Sequence, residues 1–266
     1  MEKIRGNTII LDGNPAAISD YVPDAAAGMY YEVIRLIDGN LLFADDHMDR
    51  LRSSCRQAAA VCPDQETLFE HLLLLLQHSS IRSGNIKLVL FKRMEKIHIA
   101  CFFIPHFYPA DQDYLDGVIT KTYAFERPDP TIKRWNEDFR HNVNQFIREE
   151  QIYEAILMNE QGTLTEGSRS NLFFIDAKSR IFTTPAHKIL PGITRKYVLQ
   201  ICREQQYEVI EEAITLEAAV HMENCFISGT SPKVLPVCRL DDLQFATDSR
   251  VIRAIMEAYD RLISAV

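Results

Sequence analysis

No C-x-x-C pair occurs among the six cysteines, Cys55, Cys62, Cys101, Cys202, Cys225 and Cys238. That spacing marks thiol-redox and zinc-ribbon sites, so free and mostly buried thiols in a reducing cytoplasm are expected instead. The first residues, MEKIRGNTIILDG, lack the apolar centre of a signal peptide. The longest leucine run, 72–76, is five residues, far short of a membrane span. G-x-x-x-x-G-K-[ST] and G-x-G-x-x-G are both missing, which argues against nucleotide binding through those loops. H-E-x-x-H is missing too, and no second His or Cys stands at ligand spacing from His47, so no metal is expected and His47 reads as structural. The formal net charge is −8, with no basic cluster long enough to follow a phosphate backbone, which sets nucleic acid aside as a partner. Repeats and low-complexity tracts are absent.

What remains is an ordinary globular composition, 47% hydrophobic and 25% charged, in 266 residues, enough for one large or two modest domains. A strand is expected over 7–13, then a loop from 15 to 27 rich in Ala, Asp and Pro. The segment 30–44 alternates apolar and polar around Asp38-Gly39, a hairpin signal. Asp45 or Asp46 then caps a helix over 47–61, and a second helix covers 64–78. Strands follow over 85–92 and 96–104. Residues 105–117, PHFYPADQDYLDG, interrupt any period and read as a linker. Beyond it the pattern gives a strand over 118–125, a helix over 137–150 and strands over 153–158, 172–176, 180–184 and 225–230. Helices run from the 190–195 turn to about 206 and over 248–265. The expected domains are 1–110, a linker 111–117, and 118–266.

The stretch 163–174, TLTEGSRSNLFF, reads as a strand, a tight polar turn and a second strand, with Glu166 at the bend. A carboxylate at a strand end, followed by small hydrogen-bonding residues, is suited to holding a ligand. Leu190-Pro191-Gly192-Ile193-Thr194-Arg195 sets a glycine before a helix, and Gly229-Thr230-Ser231 offers hydroxyls and backbone N–H groups. Both are either ordinary capped turns or anion cradles. Lys133 lies in a Pro-punctuated loop with Trp135 two residues on. It is either a solvated surface lysine or, with Arg134 supplying positive charge, an amine able to lose its proton. Arg50 either pairs with Asp46 one turn away or makes a bidentate phosphate contact. Tyr31, on the first hairpin, is either core or a residue facing a substrate carboxylate.

These segments together resemble the class IV aminotransferases, the fold-type IV pyridoxal-phosphate group of branched-chain aminotransferases, D-amino-acid aminotransferases and aminodeoxychorismate lyases. The resemblance runs through YYEVIRLIDGNLLFADDHMDRL, TIK, EAILMNEQGTLTEGSRSNLFFID, ILPGITR and FISGTSPKVLPV, in order and across nearly the whole chain. It implies an α+β fold, with a smaller α+β N-terminal domain and a larger, mostly β C-terminal domain with flanking helices, assembled as a homodimer. It implies pyridoxal 5′-phosphate as cofactor. Lys133, 33 residues before Glu166, becomes the Schiff-base lysine, carried on the larger domain. Glu166 becomes the partner of the ring nitrogen, and Arg50, Ile193, Thr194 and Thr230 bind the phosphate, Ile193 through its backbone N–H. Tyr31, Thr230 and Ser231 fall on the substrate side. A protonated ring accepts electrons from a carbanion at the amino acid's Cα, and the lysine moves the proton.

Several positions depart from the family pattern. Arg134-Trp135 follow the lysine where small or hydroxyl residues are common, and Asp138 stands where branched-chain enzymes carry a tyrosine. An Arg-x-His carboxylate trap is not evident in KRMEKIH, 92–98, and Asp24-Ala25-Ala26-Ala27-Gly28 replaces a glycine-rich lead. The expected activity is transfer of an amino group between an α-amino acid, by default a branched-chain or other apolar L-amino acid, and a 2-oxo acid. The alternatives are an aminodeoxychorismate-type lyase on the same site and a catalytically silent binding homologue.

Overall fold

The computed structural model describes residues 3–23 and 28–265. Two compact units divide the chain: Met1–Phe107 with Ile132–Glu137, and Tyr108–Thr131 with Asp138–Val266.

The first unit is a six-stranded sheet with two helices. Its elements are β1 (Thr8–Leu11), β2 (Asn14–Ala17), β3 (Met29–Ile37), β4 (Asn40–Leu41), α1 (Ala44–Gln57), α2 (Gln65–Gln77), β5 (Gly84–Arg93) and β6 (Lys96–Ile104), with strand order β2-β1-β6-β5-β3-β4. Asp38 and Gly39 both take positive φ, 50° and 92°, and join β3 to β4 with Ile37 opposite Asn40. This is the two-residue hairpin expected from the sequence, twisted as the strands require. Both faces of the sheet are buried. Ile34, Leu36, Ile86, Leu88 and Leu90 pack with Met48, Leu51, Leu68 and Leu72 of the helices. Tyr31, Val89, Phe91, Ala100 and Phe102 line the other face, where Trp135 packs against them.

Three expectations are corrected here. Part of the 15–27 loop is ordered as edge strand β2 and a 3-10 turn at Ile18–Asp20. Pro15 is tolerated there because an edge strand has one side with no ladder bonds to lose. Residues 24–27 of that loop, and with them most of the Asp24–Gly28 lead, lie outside the described residues. Helix α1 starts three residues earlier than expected, after Phe43 in the left-handed region, so Asp45 and Asp46 sit in its first turn rather than at its cap. There they favour the helix through its dipole. It stops early because Ala59 turns to φ 51° and Ala60 N–H donates to Cys55 O.

The second unit begins with α3 (Asp111–Asp116), in the segment expected to be a linker. Asp113 accepts from Ala110 N–H at 2.7 Å, which caps the helix with one of the acids that disguised it. Next come β7 (Val118–Ala124), α4 (Glu137–Glu149), β8 (Glu154–Met158), β9 (Thr163–Gly167), β10 (Asn171–Asp176), β11 (Ile181–Thr183) and α5 (Ile193–Glu204). The chain closes with β12 (Val209–Ile210), β13 (Ile214–Thr215), α6 (Leu216–Ala219), β14 (Met222–Gly229), β15 (Lys233–Leu240), β16 (Leu243–Gln244) and α7 (Arg250–Ser264). The ten strands form one mixed sheet ordered β12-β11-β10-β14-β15-β7-β8-β9-β13, with β16 beside β15. β9 and β10 stand well apart in that order, yet Ser168, Arg169 and Ser170 alone join them. The sheet therefore curls until its ends approach, and Gly167 N–H reaches Ser170 O at 2.8 Å. The expected α+β fold, with a smaller and a larger sheet, is the one that forms. Among the described residues no helix is long and apolar enough to cross a membrane.

Residues 132–137, expected with the second block, cluster with the first unit. The edge of β3 is uncovered where short β4 ends, and this segment takes its place. Tyr31 N–H donates to Lys133 O at 3.2 Å, and Trp135 N–H donates to Met29 O at 2.7 Å. Lys133 is thus tied to the smaller sheet rather than to the larger one.

Candidate active site

In the first unit, Lys133 is pinned by its main chain. Its N–H donates to Ser54 Oγ of α1 at 3.1 Å, and its carbonyl accepts from Tyr31. Its Nζ lies 4.9 Å from the centre of the Tyr31 ring. Tyr31 is buried and meets Trp135 edge-on at 5.6 Å. Lys87 completes this group. It comes from β5 and is 1% exposed, with Nζ 3.7 Å from the Trp135 ring and 4.6 Å from Tyr31. Aromatic faces are among the few partners that let an ammonium leave water. Arg134, expected to lend charge to Lys133, instead turns its guanidinium over Tyr30, 5.6 Å away. It belongs to the opposite face because neighbours on an extended strand point opposite ways.

Arg50 and His47 share one carboxylate on the helix-covered face of the sheet. Glu32, fully buried, receives Arg50 Nε at 2.8 Å, Arg50 Nη2 at 2.5 Å and His47 Nδ1 at 2.7 Å. Burial works against the Glu32 charge, but Arg50 and His47 outweigh it and hold the carboxyl down at about 2. Burial also lowers His47, although Glu32 partly offsets it. His47 is thus structural, as expected, and Arg50 is held rigid through Nε and one terminal nitrogen.

In the second unit, Glu166 ends β9 and is 3% exposed. Arg127 Nε donates to its Oε1 at 2.7 Å, and Leu190 N–H approaches Oε2 at 3.2 Å. The turn after it is organised by a second buried acid, Glu154 of β8. That carboxylate accepts from Ser168 Oγ at 2.7 Å, Ser170 Oγ at 2.9 Å and Arg169 N–H at 3.1 Å. The serine hydroxyls of EGSRSN therefore satisfy Glu154. Gly167 is needed because a Cβ there would lie 2.0 Å from Ser170 Oγ.

The two suspected anion turns converge on the same end of this sheet. Asn171, first residue of β10, donates through Nδ2 to Leu190 O at 2.9 Å, which clamps the Leu190-Pro191-Gly192 loop. Asn171 also pairs across the sheet with Ser228, next to Gly229-Thr230-Ser231. Helix α5 starts at Ile193 with Gly192 as N-cap and no side-chain oxygen capping it. Its first N–H groups have no intrahelical acceptor by construction. Ile193 and Thr194 are buried, and Tyr259 of α7 reaches Thr194 Oγ1 at 3.5 Å. Glu166, Ile193, Thr194, Thr230 and Ser231 are thus gathered in one unit, and Tyr31, Arg50 and Lys133 in the other.

Four residues of these clusters escape sequence reasoning: Glu32, Lys87, Arg127 and Glu154. A charged residue inside an otherwise apolar strand run is the one available signal, and it applies to Glu32, Lys87 and Glu154. Arg127 carries none beyond its place among prolines.

A phosphorylated pyridine cofactor fits what is present. An uncapped helix N-terminus suits a dianion, and a buried carboxylate suits a protonated ring nitrogen. Ser228 Oγ, buried beside the Gly229 turn, has no hydrogen-bond partner among the described residues and offers a further polar contact. The family model described as amino-transferase class IV matches residues 29–240. A Methanocaldococcus jannaschii protein named "Putative branched-chain-amino-acid aminotransferase" is 27% identical over 228 residues, which cover 79% of this chain and 78% of that one. A Bacillus licheniformis D-alanine aminotransferase is 28% identical over 225 residues, covering 79% and 78%. The Escherichia coli branched-chain aminotransferase structure superposes with a TM-score of 0.85 at 21% identity, over 97% of this chain and 95% of that one, which shows the fold.

Proposed function

From the premise that the chain belongs to the class IV aminotransferases, enzymes of pyridoxal phosphate, we propose that it moves an amino group between an apolar α-amino acid and a 2-oxo acid. A branched-chain L-amino acid is the first candidate donor, supported by the 27% identical archaeal relative. D-alanine is the second, supported by the 28% identical Bacillus relative. The observation that carries the reading is Glu166: a buried carboxylate at a strand end, ion-paired with Arg127 and set beside the loop that opens α5.

The bound cofactor supplies an aldehyde that exchanges amines and a ring that accepts electrons. Each protein group then has a defined task. The Lys133 amine is the nucleophile and the base that takes and returns the proton at the substrate's Cα. Glu166 keeps a proton on the ring nitrogen. The N–H groups of Ile193 and Thr194, the Thr194 and Thr230 hydroxyls and Arg50 bind the phosphate. Thr230, Ser231 and Tyr31 contact the substrate. Main-chain hydrogen bonds on both sides of Lys133 fix where its amine starts, which favours a short proton path. A homodimer in a reducing cytoplasm completes the reading, in keeping with free cysteines throughout.

The test is a panel of L- and D-amino donors against 2-oxoglutarate and pyruvate, with the cofactor spectrum followed. Loss and return of the aldehyde form with amino acid and then 2-oxo acid is expected. Pyruvate release from a chorismate-derived amine without any 2-oxo acceptor would replace transfer by elimination.

A further inference from the structure

Two of the six cysteines meet at the end of α1, and no step assigned above uses either of them. Cys55 lies in the last turn of the helix, fully buried in the cluster that joins α1 and α2 to the first sheet. The helix stops two residues later, at Gln57. Ala59 then turns to φ 51°, and the Ala60 N–H donates back to Cys55 O at 2.8 Å. A chain that reverses in this way returns over the turn it has just left. Cys62 is carried back with it and packs, half-buried, against the cluster that holds Cys55. A hydrogen bond between the two thiols is the strongest influence on the acidity of each.

The two sulfurs are not alike. That hydrogen bond draws Cys62 below its ordinary value, and the Arg52 guanidinium adds to the pull against partial burial. Cys55 is pushed up by the same bond and by burial. Burial also pushes up the other four thiols, Cys101, Cys202, Cys225 and Cys238. An accessible, more acidic thiol beside a second one is the arrangement in which one sulfur is oxidised first and the other resolves it. The pair also borders the segment that carries Lys133. Ser54, the residue before Cys55, is buried, and its Oγ accepts from Lys133 N–H at 3.1 Å.

We propose that Cys62 and Cys55 are a modification site: a hydroperoxide converts them to a disulfide, and the linkage slackens the hold of Ser54 on residues 132–137. The Cys62 thiolate attacks one peroxide oxygen, the O–O bond breaks, and the other oxygen leaves as hydroxide, which takes up the proton that Cys62 gave up. The Cys55 sulfur then attacks the sulfenic acid at Cys62. The S–S bond forms, the S–O bond breaks, and the Cys55 proton leaves with that oxygen as water. Two electrons pass from the sulfurs to the peroxide, and two waters leave for each disulfide. The sulfurs must close from hydrogen-bond separation to about 2 Å, and Cys55 moves with the turn that holds Ser54. The linkage does not depend on the role of Lys133; only its effect on turnover rests on that reading.

The full-length protein with cofactor is treated with a slight excess of hydrogen peroxide, alkylated and cleaved with trypsin. A second sample is followed by the emission of Trp135, the one tryptophan in the chain. Cleavage after Arg52, Arg56 and Arg82 puts Cys55 in 53–56 and Cys62 in 57–82, so the linkage appears as a joined peptide. The joined peptide is expected, with Trp135 emission moved to longer wavelength and amino transfer roughly fivefold slower, the effect of one weakened hydrogen bond. Dithiothreitol should reverse all three, and Cys62→Ser should show none of them. Oxidation of Cys62 to the sulfinic acid with no joined peptide overturns the proposal. A joined peptide with unmoved Trp135 emission overturns the coupling to the Lys133 segment, and so does the same emission change in Cys62→Ser. A joined peptide and a moved emission in a protein without amino transfer leave the proposal standing and overturn the reading of Lys133 instead.

Discussion

Arg50 and Glu32 are joined at both carboxylate oxygens, at 2.8 and 2.5 Å, on the face of the sheet that α1 covers, with the Glu32 carboxylate fully buried. The carboxyl sits at about 2 against an ordinary 4.5, so protonating it costs the folded state more than the unfolded one. Its contribution is complete above about pH 4.5 and is lost as pH falls toward 2. A shift of that size corresponds to roughly 3 kcal/mol. Urea unfolding at a series of pH values is expected to show stability falling across this window. Glu32→Gln should flatten that fall and lower stability at neutral pH by roughly 3–5 kcal/mol, because it leaves a buried guanidinium poorly matched. Parallel pH profiles for the two proteins would remove Glu32 from the account.

Lys133→Ala separates the amine from the architecture around it. The contacts that order this segment run through the lysine's own N–H and carbonyl, to Ser54 Oγ and Tyr31 N–H. Truncating the side chain keeps them. The variant should fold with an unchanged circular dichroism spectrum and bind cofactor without the yellow colour of the lysine-linked form. Retained colour that resists dialysis would move the attachment to another lysine, with Lys87 the first to replace.

How far these features could be read in advance depended on range. The Asp38-Gly39 hairpin, the helix stripes of α1 and α2, and the strands on either side of Glu166 were legible because each is a local pattern of period or turn chemistry. The family resemblance added the roles proposed for Lys133 and Glu166, which no local pattern carries. What stayed hidden was partnership. Nothing in TIK says that it completes the edge of β3, since that edge is open only because β4 is two residues long. Nothing near Arg127 announces an acid 39 residues further on. The linker reading failed because Asp111 and Asp113 look like loop residues until one of them caps α3.

Gly192→Ala tests the proposed phosphate cradle. A Cβ on Gly192 would lie 2.0 Å from Asn171 Oδ1, the residue whose amide clamps Leu190 O. Asn171 is buried and anchored in β10, so the loop rather than the asparagine must move. Displacing that loop shifts the first N–H groups of α5 and loosens the Leu190 contact to Glu166. Cofactor affinity is expected to fall by about tenfold to a hundredfold, with stability of the protein lacking cofactor reduced by roughly 1–3 kcal/mol. Titration of pyridoxal phosphate into the apoprotein, by fluorescence, measures the first effect. Wild-type affinity would show that the turn does not set the phosphate cradle.

Lys87 and Trp135 give the sharpest packing test, because the amine is 1% exposed with its Nζ 3.7 Å from the indole centre. A buried ammonium needs partners, and a ring face supplies about 2 kcal/mol when water is excluded. Trp135→Leu removes the ring while the charge stays buried, so it should cost about 3–5 kcal/mol, part of it lost aromatic area. Lys87→Met removes the charge and keeps the length of the chain, so it should cost less, since a thioether tolerates this face. The two effects are not independent. Once Lys87 is Met, Trp135→Leu no longer removes an aromatic face from a buried cation, and the double variant should be more stable than the sum of the single losses by about 1–2 kcal/mol. Denaturant unfolding of the four proteins gives this coupling directly. Losses that simply add would mean that the amine draws its stabilisation from elsewhere and that Trp135 serves the sheet only as bulk.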